Sequence, residues 1–198
     1  MAAALLLSGG MDSAALAWWK RPALAINVDY GQRPAAAERR AATMVAGEIG
    51  MPFETLDIDL SSLGAGTMSG KPSMPGAPNP EWWPFRNQLL LTFAAAKALQ
   101  HPGIDTIWIG SVKEDRINGD GSPEFRGAID ALMRLQEGGI GVDAPAAHLS
   151  AAELIEESGV PPEVLGWTHS CFVSNEPCLG CRGCSKHLDV LEDVGRRW

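Results

Sequence analysis

The chain has 198 residues, 45% of them hydrophobic, which suits one sizeable core with a small appendage. Its formal charge is −8, from 16 Lys+Arg against 24 Asp+Glu, the wrong sign for a protein that works by neutralising many phosphates, so bulk nucleic-acid binding is not expected. The longest apolar runs, Ala2 to Leu7 and Leu89 to Leu91, fall far short of the roughly 20 residues of a membrane span.

Met1 to Leu7 could pass for a signal h-region, but it has no basic flank, and Ser8-Gly9-Gly10-Met11-Asp12 stands where a cleavage site would be. The expectation is a buried strand in a cytoplasmic protein. Ala2 to Leu7 then predicts β-structure and about Asp12 to Trp19 a helix. Ala23 to Val28 reads as a second strand, ending at Asp29-Tyr30-Gly31. A helix follows from Ala35 to Ile49, stopped by Gly50 with Pro52 beyond. Phe53 to Ile58 is a third strand. Ser61 to Pro84 is rich in Gly, Pro and Ser with almost no periodicity, which predicts a long loop, either a lid carrying Trp82 and Trp83 or a surface loop with both partly packed. A helix is expected from Arg86 to Ala98, a strand from Thr106 to Gly110, and an irregular stretch from Lys113 to Pro123. Another helix spans about Glu124 to Gln136, and a fifth strand Ile140 to Asp143. Ser150 with Glu153 forms a capping box for a helix ending before Gly159. A short helix closes the tail. The short doublets Arg39-Arg40 and Arg196-Arg197 read as solvated surface charge.

Strands alternating with helices predict an α/β fold, a Rossmann-like parallel five-stranded sheet with helices on both faces. Residues 1–165 would form this domain and 166–198 a cysteine-bearing tail packed on it. Ligands in such sheets sit beyond the C-terminal strand edges. Ser8 to Ser13, Asp29 to Gln32 and Ser111 to Asp115 all fall there.

Ser8-Gly9-Gly10-Met11-Asp12-Ser13 joins a strand to a helix. Two glycines let backbone approach an anion, and the helix start offers free N–H groups. The Ser8 and Ser13 hydroxyls can add donors. Asp12 repels phosphate, so it suits a magnesium ion or a helix cap. The motif is not a Walker loop, because GxxxxGK[ST] is absent. A bare SGG is equally a tight turn. Strand-SGGxDS-helix is more specific, and resembles the PP-loop of the N-type ATP pyrophosphatases.

Cys171, Cys178, Cys181 and Cys184 are all the cysteines of the chain. Clustered as C-x6-C-x2-C-x2-C in a cytoplasmic chain, they point to metal and not to disulfides. Four thiolates satisfy tetrahedral Zn2+ and leave no open position, so the role is structural. An Fe–S cluster is the alternative. His169 and His187 are superfluous beside four sulfurs.

Taken in order, these motifs resemble the QueC family, the 7-cyano-7-deazaguanine synthases. The likeness runs through Leu7 to Ser13, Asp29-Tyr30-Gly31-Gln32 with Glu38, Pro84-Phe85-Arg86-Asn87, Gly110-Ser111-Val112 with Asp115, Pro123-Glu124-Phe125, Ala144-Pro145, and Thr168 to Phe172 with the later cysteines. The resemblance implies adenylation of 7-carboxy-7-deazaguanine with ATP and transfer to ammonia, giving amide and then nitrile. It implies Leu7, Ser8, Gly9, Gly10, Met11, Asp12 and Ser13 at the ATP phosphates, with Mg2+, and Val28, Asp29, Tyr30 and Gln32 near the adenine. Ser8, Asp12, Ser13, Arg86, Asn87 and Asp115 would serve the chemistry, and Asp115, Asp120, Glu124 and Phe125 the substrate. A homodimer is within the family's range. The departures are a short chain, Ser150 where the family has lysine, and Asp120-Gly121-Ser122 in place of Y-P-D-C-R. These bear on the acid pocket more than on the ATP loop. They motivate a variant in which the acyl group passes to an amine on another molecule, such as a protein. A tRNA thiolase or asparagine-synthetase-like domain, and a zinc-stabilised nucleotide-binding module without turnover, are the further alternatives.

Overall fold

The computed structural model describes residues 2–195. The doublet Arg196-Arg197 lies outside the described residues. Five strands, β1 (Ala2–Leu6), β2 (Leu24–Asp29), β3 (Phe53–Asp57), β4 (Ile104–Ile109) and β5 (Gly141–Asp143), form one sheet in the order β3-β2-β1-β4-β5. All pairings are parallel. The order reverses at β1, and the crevice at such a switch point is where open α/β sheets bind ligands.

Helices α1 (Met11–Lys20) and α2 (Ala35–Ile49) cover one face with α6 (Ala151–Ser158), α7 (Pro162–Leu165) and α8 (Arg182–Gly195). Leu5, Leu16, Val45, Leu154, Val164 and Val190 meet in the core there. Helices α4 (Arg86–Ala98) and α5 (Pro123–Arg134) cover the other face, with Ile26, Leu91, Ile107 and Ile129 between helices and sheet. Burial on both sides is why β1 and β2 read as continuous apolar runs without alternation.

The capping box at Ser150 forms. Ser150 Oγ accepts from the Glu153 N–H, and Glu153 Oε2 accepts from the Ser150 N–H at 2.7 Å. Three expectations need correction. Residues 61–84 contain a 3-10 turn, Ser61–Leu63, and a short helix α3, Gly66–Ser69. The segment is folded onto the molecule: the Thr67 N–H donates to the Pro80 carbonyl, the Arg33 N–H to that of Met68, and Trp83 is 2% exposed. Helix α7 was not anticipated, being one turn begun by a proline. The terminal helix is not short but has 14 residues. Val190 and Val194 bury its apolar side, so tertiary packing extends it beyond its weak sequence signal. Among the described residues no helix is long and apolar enough to cross a membrane.

Candidate nucleotide site and metal knot

The β1–α1 junction is short, and two glycines, Gly9 within it and Gly110 beside it, make it tight. Gly9 has φ +86°, and a Cβ there would lie 2.5 Å from the Glu38 carbonyl oxygen and 2.9 Å from Ala41 Cβ on α2. At the end of β4, a Cβ on Gly110 would lie 2.8 Å from the Ser13 backbone. Only hydrogen at these positions lets the loop nest between α2 and β4. Gly10 is the N-cap of α1 and supplies no side-chain cap, so the N–H groups of Met11, Asp12 and Ser13 keep no partner within the helix. The hydroxyls are ordered: Ser8 Oγ and Ser13 Oγ are 3.0 Å apart, and Ser13 Oγ donates to the Gly10 carbonyl. The result is a cradle of amide donors at a positive helix end, which favours an anion such as phosphate. Leu7 is 1% and Met11 4% exposed. The Leu7 amide and carbonyl bond Ile26 and Asn27, so Leu7 holds the strand in place.

Asp12, in the first turn of α1, faces Lys186 of α8, with Oδ2 and Nζ 2.8 Å apart. Asp12 Oδ1 is buried and unpartnered, as is Ser111 Oγ beside Gly110. Burial pushes the Asp12 carboxyl above the ordinary carboxylate range, Lys186 opposes this, and the negative charges of Asp115 and Glu114 add to it. Negative charge is thus in excess around a free carboxylate oxygen, a condition that suits a divalent cation. Asp115 is partly committed, since its Oδ2 accepts from the Val112 N–H at 3.0 Å.

The β2 end builds a second cluster. Gln32 Oε1 accepts from the Tyr30 N–H, and Gln32 Nε2 donates to the Val28 carbonyl and to Glu38 Oε2 at 2.7 Å. Tyr30 meets Trp83 edge-on, ring centroids 5.0 Å apart. Arg86 is drawn electrostatically to Tyr30, Asp120 and Glu38. It also donates to Asn87 Oδ1 at 3.2 Å. Burial pushes the Glu38 carboxyl up to about 7 against the pull of Gln32 and Arg86. Asp29 accepts from the Gly31 N–H and lies 3.9 Å from Arg39, which also pairs with Asp57. Val28 is buried. Of the residues expected at the substrate, Asp120 joins this cluster through Arg86. Glu124 is exposed on the first turn of α5. Phe125 packs against the core under α4 and α5. Ser122 caps α5 by accepting from the Phe125 N–H at 3.1 Å.

The four cysteine sulfurs all lie within 4.8 Å of one another. Cys178–Cys184 and Cys181–Cys171 measure 3.9 and 4.0 Å. A tetrahedron with Zn–S of about 2.3 Å has edges near 3.8 Å, so the residues fit a metal of this kind. The knot touches the loop directly: the His169 N–H donates to the Gly9 carbonyl at 2.9 Å. Ser170 Oγ bonds His187 Nδ1 at 2.9 Å, and His169 Nε2 bonds the Ser174 carbonyl, so both imidazoles brace the backbone that carries the cysteines. A cleft of about 700 Å³ lies behind the loop between α2 and residues 167–177. The apolar groove of about 430 Å³ between α4 and α5 is lined by neither cluster. Sequence reasoning missed Lys186 and the His169 amide. A lone lysine two residues past a cysteine carries no pattern, and a backbone donor carries none at all.

The sheet order, the glycine cradle and the free helix amides define a PP-loop α/β protein. The sequence profile described as "Queuosine biosynthesis protein QueC" matches residues 2–195. The chain belongs to the QueC family. It is 33% identical to the 7-cyano-7-deazaguanine synthase of Nitratiruptor sp., with 100% of this chain and 96% of the relative covered. It is 32% identical to that of Methanospirillum hungatei, with 98% and 96% covered. The solved NMN synthetase of Francisella tularensis aligns with TM-score 0.49 and 14% identity over 98% of this chain and 84% of that one.

Proposed function

We propose that the protein is an ATP-dependent carbon–nitrogen ligase that activates 7-carboxy-7-deazaguanine and passes it to ammonia. The carboxylate attacks the α-phosphorus of ATP, pyrophosphate leaves, and the acyl-adenylate forms. Ammonia then displaces AMP to give the amide, and loss of water gives the nitrile. The observation that carries this reading is the β1–α1 cradle, with its uncapped amides and ordered Ser8 and Ser13 hydroxyls, in a chain that matches named synthases along its whole length.

In this reading the amides of Met11, Asp12 and Ser13 and the two hydroxyls bind the phosphates. They are fixed before the reaction, so they stabilise the growing charge without reorganising. Asp12, with Asp115 and Glu114 nearby, would hold Mg2+, which supplies charge neutralisation on the phosphates. Cys171, Cys178, Cys181 and Cys184 would hold Zn2+ with no open position, so the metal secures structure and takes no part in bond making. The Tyr30–Trp83–Arg86–Glu38 cluster, roofed by the packed 61–84 segment, walls one side of the site and keeps water from the adenylate. Work at the nucleotide and acid level needs no membrane or nucleic acid, and it suits a cytoplasmic protein.

The test is to incubate purified protein with ATP, Mg2+, ammonia and the acid, and to weigh the products. The nitrile is expected, with pyrophosphate release that Asp12→Ala abolishes. An amide conjugate to another amine, protein-borne or not, with no nitrile, would overturn the ammonia step but not the adenylation. No pyrophosphate with any candidate acid would reduce the protein to a binding module.

A further inference from the structure

A loop that grips triphosphate meets up to four negative charges, and amide dipoles offset them only in part. Nucleotide loops commonly add a cation of their own, as the lysine of a Walker loop does. Here the run from Leu7 to Trp19 contains no Lys or Arg at all. Three cations on neighbouring elements are engaged elsewhere. Arg86 serves Tyr30, Asp120 and Glu38, Arg182 pairs with Glu81 at 2.9 Å, and Arg116 donates to the Ala147 carbonyl. Lys186 is different: it reaches from α8 to Asp12, Nζ to Oδ2 at 2.8 Å, with 36% of its side chain still exposed.

The way Lys186 is held matters as much as where it is. Cys181 immediately precedes α8 and Cys184 lies in its first turn. Lys186 follows Cys184 by two residues, about 200° around the helix, so the sulfurs face the knot while the ammonium faces the loop. Gly183 fixes the seat of the helix, since a Cβ there would lie 2.0 Å from the Ser170 carbonyl oxygen. The His169 amide on the Gly9 carbonyl makes a second tie between the same two pieces of chain.

We propose that Lys186, delivered by the cysteine knot, is the cation that contacts the ATP phosphates and the departing pyrophosphate. Its ion pair with Asp12 is the resting arrangement. With nucleotide and a divalent cation bound, Asp12 would hold the cation and the Lys186 ammonium would be free to face the phosphate oxygens. The inference rests on the nucleotide-binding reading above and extends it by one residue that the loop itself does not contain.

Calorimetry on the full, zinc-loaded protein tests this with two probes, Mg2+–ATP and inorganic pyrophosphate, against adenosine as the uncharged control. Lys186→Met is expected to weaken both phosphate probes about 10- to 100-fold, the range for losing one charge-assisted contact. Adenosine binding and zinc content should stay at wild-type levels. Lys186→Arg should recover most of the loss, and raised salt should shrink the gap between wild type and Lys186→Met. Phosphate-probe affinities within twofold of wild type in Lys186→Met would overturn the proposal. So would loss of zinc in both Lys186→Met and Lys186→Gln, which would make Lys186 a packing residue. Wild-type protein that binds neither probe would sink the nucleotide reading and this inference together, whereas a silent substitution beside a binding wild type sinks the inference alone.

Discussion

Glu38 carries the clearest electrostatic tension at the scale of single residues. Burial holds its carboxyl at about 7, above the ordinary value near 4.3 for an exposed glutamate. The folded state therefore binds this proton more tightly than the unfolded chain. The contribution favours folding below about pH 4 and is lost as pH rises through 7. Glu38→Gln removes the titration while keeping an oxygen for Gln32 Nε2. Denaturant titrations at pH 5 and pH 8 should show wild type losing on the order of 2 kcal/mol relative to the variant across that interval. An equal difference at both pH values would contradict the assignment. Legibility at this scale was uneven. Ser8, Gly9, Gly10 and Ser13 were readable because strand, glycines and helix start are adjacent in the chain. Lys186 was not, because 174 residues separate it from Asp12.

Among the elements, the 61–84 segment was the hardest to read. It lacks periodicity because it is neither helix nor strand for most of its length, yet it is packed. Trp83 is the anchor: its ring lies in the core beside Tyr30, Met68 and Leu91. Trp83→Ala should cost about 3–5 kcal/mol of stability, as large-to-small core changes do, and should release the segment. Limited proteolysis would then cut between residues 61 and 84 in the variant and spare wild type. A variant as stable and as resistant as wild type would make the segment a surface loop. The elements with strong local grammar were legible. Gly50 does end α2 with φ +69°, and Ser150 and Glu153 do cap α6. Helix α8 was underestimated because its length depends on Val190 and Val194 meeting α6, a contact that sequence alone does not display.

The whole molecule couples the four-cysteine knot to the β1–α1 loop through the His169–Gly9 and Lys186–Asp12 contacts. Structural zinc is worth about 10–16 kcal/mol in small zinc-binding peptides, so its removal should be felt wherever the knot makes contact. Chelation is expected to speed amide hydrogen exchange in α8 and in residues 8–13, through the lost His169–Gly9 and Lys186–Asp12 ties. Helix α5, on the opposite face, should stay protected longer. Uniform loss of protection would mean that the metal holds the entire fold and not the knot and loop together; no change would mean that the cysteines hold no structural metal.

What the sequence determined by itself was whatever short-range chemistry dictates: the alternation of strand and helix, the glycine-bearing loop after β1, the caps and stops, and a four-cysteine cluster spaced for one ion. Periodicity and spacing are properties of neighbours along the chain. The tertiary structure alone decided which face each helix covers, that Trp83 is core, that Gly110 abuts Ser13, and that Asp12 meets Lys186. Those depend on pairs far apart in sequence whose contact is fixed only when both cores close around the sheet, burying one set of side chains and leaving another at its edge.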